Sequence, residues 1–163
     1  MKIEAFLKVD GIPGESLAKK HAGEIEVMHW RWGGQNPASM TGSGLSSGKV
    51  QVEDLSITKR IDKASPQLLK ACFAGAHFAN ATLTVCAVNA SNNTLDDFIT
   101  FSLTDGMVTS VTSRPPDDAV DIELEDVTFA YSALEFTYKQ QKSDGTLTTA
   151  GNMTFDVNSR TVS

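Results

Sequence analysis

Two stretches, ANATLTVCA at residues 79–87 and ITFSLTDGMVTSV at residues 99–111, decide the fold class. In the first, Ala79, Ala81, Leu83, Val85 and Ala87 alternate with Thr82, Thr84 and Cys86. In the second, Ile99, Phe101 and Leu103 alternate with Thr100 and Ser102. Side chains on a strand point to opposite faces in turn, so this period of two marks half-buried strands. The same alternation opens the chain, where Ile3, Ala5, Leu7 and Val9 oppose Lys2, Glu4 and Lys8, with Phe6 the exception on the polar side.

Turn chemistry separates the strands. Asp105-Gly106 and Asp144-Gly145 read as tight hairpin turns, because Asp-Gly takes the positive φ angles that such turns require. One helix interrupts the pattern, with Ser65 as its N-cap, Pro66 at the first helical position, Leu68, Leu69, Cys72 and Phe73 on one face, and Gly75 at its left-handed end. A helix of about ten residues is marginal alone, so that face belongs on the sheet. The expected fold is all-β, a small antiparallel β-barrel with one short flanking α-helix, in a single domain over residues 1–163.

Some strands change apolar phase partway. Ile25 and Val27 share one face while Met28, Trp30 and Trp32 share the other, and Val50 and Val52 give way to Leu55 and Ile57. Either a β-bulge rotates each strand, or both faces carry apolar side chains and one is covered by another subunit. Between Gly33 and Gly48 the chain reads GGQNPASMTGSGLSSG, too rich in Gly, Ser and Pro for a strand and long enough to read as a functional or floppy loop.

Composition narrows the function. With 14 basic and 20 acidic residues the formal charge is −6, and no basic run suits a phosphate backbone, so nucleic acid is not an expected partner. Glu4 and Lys8 break any secretion-signal core and no segment reaches membrane-span length, which points to folding in the cytoplasm without membrane insertion. In that compartment Cys72 and Cys86 are expected as free thiols.

The motifs of catalysis fail on their residues. Gly48-Lys49 resembles the end of a phosphate loop, but Ser43 and Val50 stand where glycine and a hydroxyl residue are required, and Ser47 denies the dinucleotide pattern its third glycine. His21, His29 and His77 show no ligand spacing and neither cysteine has a near neighbour to share a metal, so no metal or cofactor is expected. Asp96-Asp97 would point to opposite strand faces, and Asp117-Asp118 follows Pro115-Pro116 in a loop. No serine lies in a nucleophile-elbow pattern. The residues alone describe an all-β chain with a subunit interface and no enzyme.

A resemblance adds to this. LSITKRIDKASPQLLKACFAG at residues 55–75 resembles the signature of the haemolysin-coregulated protein family, the tube protein of type VI secretion. The GIPGES at residues 11–16, His21-Ala22, Glu24-Ile25, Trp30-x-Trp32-Gly33 and YKQQKSDG at residues 138–145 resemble that family in the same order. The resemblance implies a barrel flanked by a helix, assembled into homo-hexameric rings that stack into a tube. It further implies expulsion by a contractile sheath behind a valine-glycine-repeat spike, and effector proteins in the lumen. It places Asn36, Ser39, Met40 and Leu45 in a loop directed at the neighbouring ring. Arg31, opposite both indoles on a regular strand, is a lumen candidate for acidic effectors, or else a partner for Glu24 or Glu26 across a subunit boundary. The competing readings are a small-molecule or carbohydrate binding barrel stacking its ligand on Trp30 and Trp32, and a phage-like tail-tube protein.

Overall fold

The computed structural model describes residues 2–89, 91–116 and 121–163; Asp117-Asp118 lies outside them. Its elements are β1 (Ile3–Val9), β2 (Ile25–Val27), β3 (His29–Arg31), β4 (Gly34–Gln35), β5 (Ser39–Thr41), β6 (Gly44–Ser46), β7 (Gln51–Val52), β8 (Leu55–Arg60), α1 (Ser65–Ala74), β9 (His77–Asn89), β10 (Thr94–Arg114), β11 (Leu124–Gln141), β12 (Leu147–Asp156) and β13 (Thr161–Val162). The all-β reading holds. A main antiparallel sheet runs β13-β12-β11-β10-β9-β1-β2, and β8 joins it by pairing with both β11 and β3. Because β3 follows β2 directly after Met28, the ring of strands is bridged by the chain itself there, and the hydrogen-bonded ladder is not a continuous closed barrel.

The core lies on the side of the sheet that carries Leu7, Ile25, Leu55, Ile57, Leu83, Leu103, Phe129 and Leu134, all of them buried. The reading of Asp144-Gly145 as a hairpin holds: Gly145 takes φ +86°, and β11 and β12 pair across it. Asp105-Gly106 is different. It sits inside β10, which continues through it while paired with β9 on one side and β11 on the other. Asp105 does adopt a positive φ of 46°, but here the conformation switches the buried face from Phe101 and Leu103 to Gly106 and Val108. Ser132 of β11 holds the bend by donating its hydroxyl to the Asp105 carbonyl and carboxylate, each at 3.0 Å. Glycine is required at 106 by close approach, since a Cβ there would lie 2.4 Å from the Ala130 carbonyl oxygen.

The helix spans Ser65–Ala74 and ends at Gly75 with φ 62°, as its residues predict. Its start is corrected. Ala64 is the N-cap and Ser65 the first helical residue, because the Ser65 hydroxyl is taken up elsewhere: it donates to Glu125 Oε1 at 2.7 Å and accepts from the Asp62 amide. Its face is corrected too, for Leu68 is buried and Ala71 and Cys72 pack on the core, whereas Phe73 is 82% exposed.

Beneath the helix start lies a fully buried ion pair. Lys59 on β8 and Glu125 on β11 are direct cross-strand partners, both 0% exposed, with Nζ 2.5 Å from Oε1. Asp62 at 2.8 Å, the Arg60 carbonyl at 2.8 Å and Ser65 at 3.2 Å complete the shell around the ammonium. Removing one partner of such a pair strands the other in a low-dielectric site. Lys59→Met is therefore expected to cost about 3–5 kcal/mol, read as a drop in the denaturant midpoint, while a double change of Lys59→Met with Glu125→Leu recovers most of that loss.

Candidate assembly surfaces

Both phase changes seen in the sequence are breaks between strands. Met28 separates β2 on β1 from β3 on β8, and Glu53-Asp54 separates β7 from β8. The outer face of β1 and β9 does carry buried side chains, namely Phe6, Thr84 and Cys86, yet their cover is this chain's own segment at residues 11–24. That segment closes on itself through Gly14 N–H to Gly23 O at 2.8 Å and Ser16 N–H to Glu24 O at 3.0 Å, and lays the His21 ring flat on Phe6, with centroids 4.6 Å apart and planes 5° off parallel. Gly14 is demanded there, since a Cβ would meet the Glu24 carbonyl at 2.4 Å.

The Gly33–Gly48 stretch, expected as a loop, forms an ordered arm. β4 pairs with β7 at its root and β5 with β6 at its tip. Small polar residues build it: Asn36 Oδ1 accepts the Gly48 amide at 2.8 Å, Ser39 and Ser46 hydroxyls lie 3.3 Å apart, and Gln35 donates to Gln51 at 2.8 Å. Glycine and serine suit this ribbon because Gly44 takes φ 120° and Gly48 lies against the Pro37 carbonyl with no space for a Cβ. Asn36 and Ser39 are thus engaged within the arm. Met40 and Leu45 face each other across β5 and β6 and are 76% and 74% exposed, an apolar pair at the tip without cover.

Arg31 stands on β3 at the root of this arm with its side chain 77% exposed, and its guanidinium donates to Glu53 Oε1 at 3.0 Å. Within its own chain, the acid beside it is Glu53. Trp30 and Trp32 both rest on Phe101, with centroids 5.1 and 5.8 Å away. The Trp32 indole N–H donates to the Tyr131 hydroxyl at 2.6 Å, which donates in turn to the Glu53 carbonyl at 2.7 Å. The two indoles join the arm root to the core, a structural use that leaves the Trp32 edge no free group for a ligand.

The fold also gathers residues that spacing kept apart. His21 Nε2, Cys86 Sγ and Asp97 Oδ1 lie within 4.8 Å of one another. Distance along the chain hid this cluster, which no motif could have revealed. Asp96, as its neighbour's opposite, turns away to Asn89. Cys72 and Cys86 are both free thiols.

Comparison with known proteins agrees with this architecture. The family model described as "Type VI secretion system effector, Hcp" matches residues 6–138. Protein hcp1 of Pseudomonas aeruginosa is 38% identical over 146 residues, which cover 89% of this chain and 88% of that protein. The crystal structure of Hcp1 from Salmonella typhimurium matches with a TM-score of 0.79 at 30% identity, covering all of both chains. A structure described as a type six secretion system protein matches with a TM-score of 0.88 at 27% identity over 99% of this chain and 100% of that one. A strand meander with a projecting arm and one flanking helix is thus the frame of a secretion tube subunit. The chain belongs to the Hcp family, the structural tube proteins of type VI secretion, which form hexameric rings and are secreted. A carbohydrate-binding barrel is not favoured. Among the described residues, no helix is long and apolar enough to cross a membrane.

The two thiols are expected to differ in reactivity. Cys86 is 0% exposed, and burial, followed by its hydrogen bond to Asp97, holds its thiol well above the ordinary range, whereas Cys72 is half-buried. A disulfide reagent added to native protein should label Cys72 many times faster than Cys86, and both at once after denaturation; mass spectrometry of the labelled peptides reads the order.

Proposed function

We propose that the rings of this chain assemble in the cytoplasm without a signal peptide, stack through the β4–β7 arm, and are driven out by a contractile sheath behind a spike protein with effector proteins in the lumen. The observation that supports the stacking role is the uncovered Met40–Leu45 pair at the tip of a hydrogen-bonded arm. An apolar pair held out on a hydrogen-bonded ribbon contributes nothing to its own core and needs a surface to receive it. Asn36 and Ser39 then act as positioning residues, holding the ribbon in the shape that presents the pair.

Light scattering coupled to size exclusion should give a mass about six times the 17.5 kDa chain, the hexamer of the family closed by a head-to-tail interface. Met40→Ser with Leu45→Ser should leave that mass unchanged while reducing stacked tubes in negative-stain images and lowering secretion. A ring that falls apart would move the arm from stacking to ring closure.

Arg31 carries the second part of the reading. Its exposed guanidinium, repeated by ring symmetry, forms a circle of charge softened by Glu53 and suited to acidic cargo. Arg31→Glu should preserve the hexamer and reduce the acidic effectors that co-purify with it. Unchanged cargo in an intact ring rejects the luminal role, and lost stacking assigns Arg31 to holding the arm.

A further inference from the structure

We propose that His21, Cys86 and Asp97 form a binding site for a zinc-class divalent cation, which clamps the segment at residues 11–24 onto the outer face of the sheet. The three ligand atoms are spaced as a metal requires. His21 Nε2 lies 3.1 Å from Asp97 Oδ1 and 3.4 Å from Cys86 Sγ, and Sγ lies 3.2 Å from Oδ1. A tetrahedral ion with bonds of about 2.0–2.3 Å sets its ligands about 3.3–3.7 Å apart, so the triangle needs to open by only a few tenths of an ångström. Imidazole nitrogen, thiolate sulfur and carboxylate oxygen together form a donor set of intermediate softness, which selects zinc over calcium or magnesium.

The surroundings are built in the way metal sites are built. The other ring nitrogen of His21, Nδ1, lies 2.9 Å from Glu24 Oε2, a carboxylate placed to orient a ligating imidazole and raise its basicity. Stacking on Phe6 fixes the plane of the ring. Asp97 pairs across the ladder with Cys86, and the register shift between Asp97 and Ile99 follows directly, so a β-bulge sets the carboxylate beside the thiol. His21 is 5% and Cys86 0% exposed, whereas the Asp97 side chain is 38% exposed and leaves one side open for entry and for a fourth ligand from water. The nearby Lys20 ammonium is engaged by the Leu95 carbonyl at 2.7 Å.

Binding balances in charge. In the metal-free protein the Cys86 thiol donates to Asp97. As the sulfur–metal bond forms, that S–H bond breaks and its proton passes to solvent, along with any proton on His21 Nε2. One thiolate and one carboxylate then neutralise a dication.

Cobalt(II) is the probe, added to chelator-treated, reduced, full-length rings. The expected result is about one cobalt per chain with a near-ultraviolet thiolate-to-cobalt band and the strong visible bands of a tetrahedral ion, displaced by zinc. The band should persist in Cys72→Ser and vanish in Cys86→Ser. Saturating zinc should raise the Tm of the unmodified protein by several degrees, reversibly on adding EDTA, and should leave Asp97→Asn unmoved. EDTA reversal on the unmodified chain keeps the test valid if Cys86→Ser does not fold. Absence of a thiolate band, a band surviving Cys86→Ser, or zinc stabilisation retained in Asp97→Asn would overturn the site and leave the cluster as a hydrogen-bonded latch between His21 and its two carboxylates.

Discussion

A lysine with no exposed surface lies where α1, β8 and β11 meet, and the rest of the structure is arranged so that its charge is answered. The Lys59 ammonium needs three acceptors, and it finds them in Glu125 across the ladder, Asp62 in the turn before the helix, and the Arg60 carbonyl. A buried pair adds little net stability compared with apolar residues, but a half-broken one is severely unfavourable, so it rejects alternative arrangements. A slip of β8 against β11 by one residue would carry Lys59 to the other face and leave Glu125 without its cation. Ser65 is drawn into the same network, which is why the helix begins without a side-chain cap.

That register has consequences at both ends of β8. At its start, Leu55 follows the break at Glu53-Asp54 from which the arm departs, and β3 pairs alongside with Trp30 opposite Ile57. The arm root is fastened by Trp32, Tyr131 and the Glu53 carbonyl, and Arg31 adds an exposed ion pair of small energetic weight to the same Glu53. At its end, the turn delivers α1 to β10 with Leu68 inward and Phe73 outward. Among the large apolar side chains left exposed, Met40 and Leu45 lie on the arm, Phe73 on the helix and Leu17 in the segment at residues 11–24, all outside the main sheet, while Ile3, Tyr138 and Val162 lie on its strands. A subunit whose own core is satisfied, with apolar groups held out on rigid supports, is suited to repeated identical contacts.

The outer face of β1 and β9 shows a different solution to the same problem. Phe6, Thr84 and Cys86 would be exposed on a bare sheet, and the segment at residues 11–24 folds back to bury them. Its attachment converges on one side chain, since the His21 ring stacks on Phe6 while its Nε2 lies 3.1 Å from Asp97 and Glu24 of the same segment lies beside its Nδ1.

Local physics made much of this readable from the sequence. Alternation placed β1, β9 and the first half of β10, Asp144-Gly145 marked a true hairpin, and Pro66 with Gly75 bracketed the helix to within one residue at its start and to the residue at its end, because each signal depends on neighbours within a few positions. The family, too, was legible, since its motifs are contiguous. What only tertiary structure decided are the positions whose partners lie far along the chain. Asp105-Gly106 could as well turn as bend, and the strands on either side chose the bend. Ser65 could cap its helix, but Glu125, 60 residues away, claimed its hydroxyl. Phe6 looked misplaced until His21 covered it, and His21, Cys86 and Asp97, separated by 65 and 76 residues from the histidine, become neighbours only once β9 and β10 are in register and the loop has closed over them. Sequence spacing carries information along the backbone, whereas burial and ligand geometry are set by loop closure and strand pairing between distant segments, which no local pattern records.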